Sequence, residues 1–92
     1  AVQRQVAQLD QVVFANFSNA AAEHVAELVL QLTPPQLAKV FFSDNGSTAV
    51  EVALKMALQA CHQRGQFQKK KFLAFAGAYH GDTVGAMSVS DD

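Results

Sequence analysis

Apolar positions recur along this chain at two different spacings. Val2, Val6 and Leu9 share one helical face, with Gln3, Arg4 and Gln8 mostly elsewhere, which predicts a short helix over residues 1–9. Residues 11–17 have no clean period; Val12, Val13, Phe14 and Phe17 suit an extended segment, but the alternation is poor. Ser18 or Asn19 then offers an N-cap. Residues 20–32 carry Ala22, Val25, Ala26, Leu28, Val29 and Leu32 at helical spacing, with Glu23, Glu27 and Gln31 on the other face. Thr33-Pro34-Pro35 should end this helix, because a proline pushes the preceding residue out of the helical region. His24 reads as a surface or boundary residue.

Two stretches are short and continuously apolar, as strands are when both faces are covered. The first is residues 40–43, Val40-Phe41-Phe42-Ser43, and the second is Phe72-Leu73-Ala74-Phe75. Between them Val50, Ala53, Leu54, Ala57, Leu58 and Cys61 fall at i, i+3, i+4, i+7, i+8 and i+11, which predicts a helix over about 47–64. Gly65 is a natural residue to follow it, and Glu51 with Lys55 makes an i,i+4 pair. Strand, long helix, strand is the βαβ pattern of an α/β sheet, with a right-handed crossover. Thr83 to Ser88 can begin one more helix, capped by Asp82 or Thr83.

Both predicted strands end in polar loops, Asp44-Asn45-Gly46-Ser47 and Gly77-Ala78-Tyr79-His80-Gly81-Asp82. In an open α/β sheet such loops share the edge where ligands bind. The first loop has two readings. It is a plain turn in which Ser47 or Thr48 caps the helix and Glu51 completes a capping box. Or it is an anion site, since free N–H groups and the positive end of the helix dipole face the loop. Tyr79, the one tyrosine, could stack on a planar ligand above that site. Alternatively Tyr79 and His80 are half-buried loop residues.

Composition narrows the function classes. Ninety-two residues allow one small domain, and half of them are hydrophobic with only 16% charged. Ala49, Val52, Met56 and Ala60 make the long helix apolar well beyond one stripe, so it should pack against a larger domain or a partner subunit. The chain is accordingly expected to be an internal piece of a longer protein, truncated at both ends. A net charge of −1, with Lys69-Lys70-Lys71 as the one basic run, argues against nucleic acid as the main partner. The single cysteine, Cys61, excludes an internal disulfide; it fits a reducing, cytoplasmic setting and reads as a buried, inert thiol. No stretch approaches a membrane span. His24, His62, His80 and Cys61 lack metal-ligand spacing, so no metal site is expected. There is no Gly-x-Gly-x-x-Gly, no Gly-Lys-[Ser/Thr] loop and no Gly-x-Ser-x-Gly frame.

The string from Ser43 through Lys55, Ser43-Asp44-Asn45-Gly46-Ser47-Thr48-Ala49-Val50-Glu51-Val52-Ala53-Leu54-Lys55, resembles the class III aminotransferases. So does Tyr79-His80-Gly81-Asp82-Thr83-Val84-Gly85-Ala86-Met87-Ser88-Val89. The second string is similar to the branch of that class that moves an amino group from S-adenosylmethionine to 8-amino-7-oxononanoate in biotin biosynthesis. The resemblance implies a fold type I, pyridoxal 5′-phosphate-dependent enzyme, with residues 1–92 forming part of its cofactor-binding large domain. It implies a homodimer with active sites at the subunit interface. Gly46 and Ser47 match the positions whose backbone N–H groups, with the serine hydroxyl, hold the cofactor phosphate. Tyr79 matches the tyrosine that lies over the pyridine ring and lines the substrate pocket. The lysine that carries the cofactor covalently, and the aspartate that pairs with the pyridine nitrogen, lie downstream of Asp92 in that family, so no catalytic residue is expected here. Two positions depart from the family pattern: Ala15-Asn16 replaces a Gly-Gly pair, and Asn19 replaces a histidine. The alternatives are another class III ω-aminotransferase, of the ornithine or 4-aminobutyrate type, and a non-catalytic module that binds a phosphate ligand.

Overall fold

The computed structural model describes residues 1–91. They form four helices: α1 (Val2–Gln8), α2 (Ala20–Gln31), α3 (Gly46–Gln63) and α4 (Val84–Met87). The chain divides into two units, Ala1–Phe41 and the residues from Phe42 onward.

In the first unit, α1 ends where the Leu9 N–H bonds the Gln5 carbonyl at 2.8 Å and Leu9 turns extended. Residues 11–17 have no helix or strand. Asn16 sits in the left-handed region at φ 67°, where a short polar side chain is better tolerated than a bulky one. Asn19 is the N-cap of α2: its Oδ1 accepts from the Ala22 N–H at 3.0 Å. Ser18 Oγ donates to the Glu23 carboxylate, which lies in the first turn near the positive end of the helix. After Gln31 the Thr33 hydroxyl closes on the Leu30 carbonyl at 3.1 Å, and Pro34 prevents continuation. None of the residues of α2 is buried.

In the second unit, α3 runs 18 residues, about 27 Å at 1.5 Å per residue. Its N-terminus corrects the capping expectation. Asn45, not Ser47 or Thr48, is the N-cap: its Oδ1 accepts from Thr48 N at 2.9 Å, while Thr48 Oγ1 accepts from Asn45 N at 3.2 Å. Thr48 thus fills the reciprocal role expected of Glu51. The helix starts earlier because Asn45 has extended backbone (φ −160°, ψ 176°) and a side-chain oxygen that reaches the third N–H of the helix. At the other end, the Gly65 N–H bonds the His62 carbonyl and the Gln66 N–H bonds the Cys61 carbonyl, with Gly65 at φ 71°. This is a Schellman closure, and the left-handed position explains the glycine. Beyond it, the Phe67 ring meets His62 edge-on, centroids 4.6 Å apart.

Neither predicted strand forms among the described residues. Residues 40–43 and 72–75 carry no regular secondary structure. A strand needs a neighbour to take its N–H and C=O groups, and neither run has one. Their side chains confirm the lack of cover: Phe41 is 68%, Leu73 100% and Phe75 85% exposed. Of the expected βαβ unit, only the helix forms among the described residues. Two smaller expectations also change. Cys61 is half-buried, not buried, and Glu51 turns to α4 and its approach instead of pairing with Lys55.

α4 is a single turn packed on α3. It contributes Ala86, the one apolar side chain fully buried among the described residues. No helix among these residues is long and apolar enough to cross a membrane.

Candidate functional site

The three residues singled out for a cofactor, Gly46, Ser47 and Tyr79, line one cleft of about 530 Å³, together with Asn45 and residues 80–83. Gly46 and Ser47 are the first two residues of α3. Their N–H groups lie beyond the reach of the capping box, which satisfies Thr48 N, and beyond the Asn45 carbonyl, which takes Ala49 N. Among the described residues, neither N–H has a hydrogen-bond partner. The first turn of α3 carries no acidic side chain, and nothing lies within 4 Å of where a Cβ on Gly46 would stand. Two unpaired donors, a positive helix end and open space together suit an anion.

The second loop is built to press against this helix start. Gly81 is buried and has φ 125°, a region that L side chains rarely adopt. A Cβ there would also collide with the Ser47 side chain and Cα. Glycine is thus required twice over, by conformation and by contact. The loop is closed from behind by its C-terminal flank. Asp91 Oδ2 accepts from Gly77 N at 3.0 Å, and Ser90 Oγ accepts from His80 N at 3.0 Å. The Asp91 N–H bonds the Ala78 carbonyl at 3.1 Å. Tyr79, between these ties, stands 62% exposed at the cleft.

Two residues absent from the sequence-based site complete the arrangement. Thr83 N donates to Ser47 Oγ at 2.9 Å, and the two hydroxyls are 2.8 Å apart. Thr83 Oγ1 also donates to Glu51 Oε2 at 2.9 Å, and the same carboxylate oxygen accepts from Ala86 N at 3.0 Å. Gly85 makes room for the carboxylate, since a Cβ there would meet it. A sequence signal for Glu51 existed: it lies four residues after Ser47, on the same helix face. Thr83 had no such signal, because its contacts cross 32 to 36 positions of chain. His80 is half-buried at the cleft, while His24 is exposed on α2, 4.0 Å from Glu27. No group of His, Cys, Asp or Glu among the described residues could hold a metal ion.

Comparison with known proteins follows the same residues. Residues 1–92 match the family described as "Aminotransferase class-III". The chain is similar to the adenosylmethionine-8-amino-7-oxononanoate aminotransferase of Synechococcus elongatus, 56% identical over 91 residues, which cover 99% of this chain and 21% of that protein. The protein of the same name from Geobacter sulfurreducens is 46% identical over 89 residues, covering 97% and 20%. That of Mycobacterium leprae is 42% identical over 91 residues, covering 99% and 21%. The chain spans about a fifth of the length of these relatives.

Proposed function

The chain belongs to the class III aminotransferase family, and from that premise we propose that it is the phosphate-binding portion of a pyridoxal 5′-phosphate-dependent aminotransferase. The longer protein would transfer an amino group from S-adenosylmethionine to 8-amino-7-oxononanoate, giving 7,8-diaminononanoate. The observation that carries the cofactor reading is the convergence of Gly46, Ser47 and Tyr79 on one cleft at the start of α3. The substrate reading is supported by the names of the relatives, up to 56% identical across nearly the whole chain.

In this reading the cofactor supplies an electron sink when bound. The residues of this chain bind and orient it. The Gly46 and Ser47 N–H groups point into the cleft end of α3 and hold the phosphate. Tyr79 covers the ring from the second loop and narrows the substrate side. Gly81 lets that loop approach closely enough for both tasks.

The rest of the fold follows from the same proposal. Residues 40–43 and 72–75 become strands when the remaining domain supplies their neighbours. The apolar surface of α3 beyond α4, where Met56 is 55% and Leu58 42% exposed, is covered by that domain or by the second subunit of a homodimer.

The test uses the full-length protein. Mixed with pyridoxal 5′-phosphate it should develop a visible absorption band that borohydride traps covalently. With S-adenosylmethionine and 8-amino-7-oxononanoate it should form 7,8-diaminononanoate. Turnover with ornithine or 4-aminobutyrate instead would keep the cofactor reading and replace the substrates. Absence of the band would remove both.

A further inference from the structure

We propose that Ser90 and Asp91 are positioning residues for Tyr79, which grip its loop on both sides and fix where the ring stands at the cleft. This rests on the cofactor reading above. A ring on an exposed loop has many orientations open to it, and stacking on a ligand requires one. Tyr79 is 62% exposed, so burial alone does not choose among them. Its neighbours in the chain are held instead. Before it, the Gly77 N–H donates to Asp91 Oδ2 at 3.0 Å, and the Ala78 carbonyl accepts from the Asp91 N–H at 3.1 Å. After it, the His80 N–H donates to Ser90 Oγ at 3.0 Å. Ser90 Oγ gives its own hydrogen to the Ala86 carbonyl at 2.9 Å. The direction of every one of these bonds is fixed by chemistry, since an amide N–H only donates and a carbonyl or carboxylate oxygen only accepts.

The grip is referenced to the helix that carries the anion site. Ala86 is fully buried in α4, which packs on α3, and its N–H donates to Glu51 Oε2 at 3.0 Å. Glu51 to Ala86, Ala86 to Ser90, and Ser90 to His80 therefore make a continuous path from α3 to the residue after Tyr79. Gly81, the next residue, rests against Ser47. Two consecutive residues suffice for the grip because the chain, on leaving α4, runs back alongside residues 77–80. The Tyr79 ring is thus held at a set place relative to the start of α3.

The test uses the full-length protein and reads two quantities. One is the dissociation constant of pyridoxal 5′-phosphate from titrated absorbance. The other is the visible circular dichroism per bound cofactor, which reports how asymmetrically its ring is surrounded. Tyr79→Ala should weaken binding about fivefold, the scale of one ring stack, and diminish the dichroism. Ser90→Ala and Asp91→Ala should each weaken binding about fivefold, the scale of one hydrogen bond, and move the dichroism in the same sense as Tyr79→Ala. Asp91→Asn, which keeps an oxygen acceptor for the Gly77 N–H, should bind within about twofold of wild type. With Tyr79 already replaced by alanine, Ser90→Ala should add less than about twofold, because it acts through the ring. Wild-type affinity and dichroism in both Ser90→Ala and Asp91→Ala overturn the proposal. So does a further loss of about fivefold from Ser90→Ala in the Tyr79→Ala background, or a Tyr79→Ala variant in which neither quantity moves. In each of these cases uptake of the cofactor still stands. Wild-type protein that takes up no pyridoxal 5′-phosphate overturns the cofactor reading and this proposal with it. Should Ser90→Ala not fold, Asp91→Ala, at an exposed position, replaces it in the cycle with the same expected non-additivity against Tyr79→Ala.

Discussion

At the scale of single residues, Glu51 ties two elements together. Its carboxylate joins Thr83 and Ala86 to the middle of the helix. Replacing it with alanine leaves the Ala86 N–H without an acceptor in a buried position, and frees the Thr83 hydroxyl. Leaving a buried donor unsatisfied costs about 1–3 kcal/mol. Glu51→Ala is therefore expected to destabilise the full-length protein by about that amount in denaturant titration. A change under about 0.5 kcal/mol would mean that the 83–86 turn is held by other contacts. Asn16 shows a different kind of residue-level logic. Its left-handed backbone is one that asparagine tolerates better than a bulky side chain. Asn19, which stands where histidine was expected, earns its place as a helix cap.

At the scale of elements, the helices were legible and their ends nearly so. The periods over 20–32 and 47–64 correspond to α2 and α3 within one residue at each end. Gly65 marked the end of α3 correctly, because a left-handed closing residue is a local requirement. The start of α3 departs from expectation, which has Ser47 or Thr48 as the cap where Asn45 fills that role; all three are acceptable caps by residue type. The distinction has a local consequence. Asn45→Ala should speed hydrogen exchange of the Thr48 amide in the full-length protein about fivefold, for a cap worth about 1 kcal/mol. Were Ser47 the cap after all, exchange at Thr48 would be unchanged. The strands failed as independent elements for a reason of the same kind. A helix closes its hydrogen bonds within itself, whereas residues 40–43 and 72–75 need partner strands, and no described residue supplies one.

At the scale of the molecule, little apolar surface is buried among the described residues. Ala86 is the only fully buried apolar side chain among the described residues, while large residues such as Leu32 and Leu73 stand 88% and 100% exposed. A core that small cannot offset the conformational entropy of ordering about ninety residues. The 92 residues expressed alone are therefore expected to melt without a cooperative transition, to bind a hydrophobic dye, and to elute as associated species from a sizing column. They should not transaminate. A sharp, reversible melt of a monomer would favour the rival reading of a self-sufficient phosphate-binding module.

The sequence by itself determined the helices, their stop signals, the two loops and the family to which they belong. Each of these depends on residues within a few positions of one another, or on strings read in order. Tertiary structure decided what those loops do to each other. It brought Tyr79 to the start of α3, seated Gly81 on Ser47, and drew Glu51 away from Lys55 to Thr83 and Ala86. Such contacts span more than thirty residues and leave no period in the chain, so only folding reveals them. The expected sheet is not decided at either level, because a strand's hydrogen bonds need a neighbouring strand and no described residue supplies one.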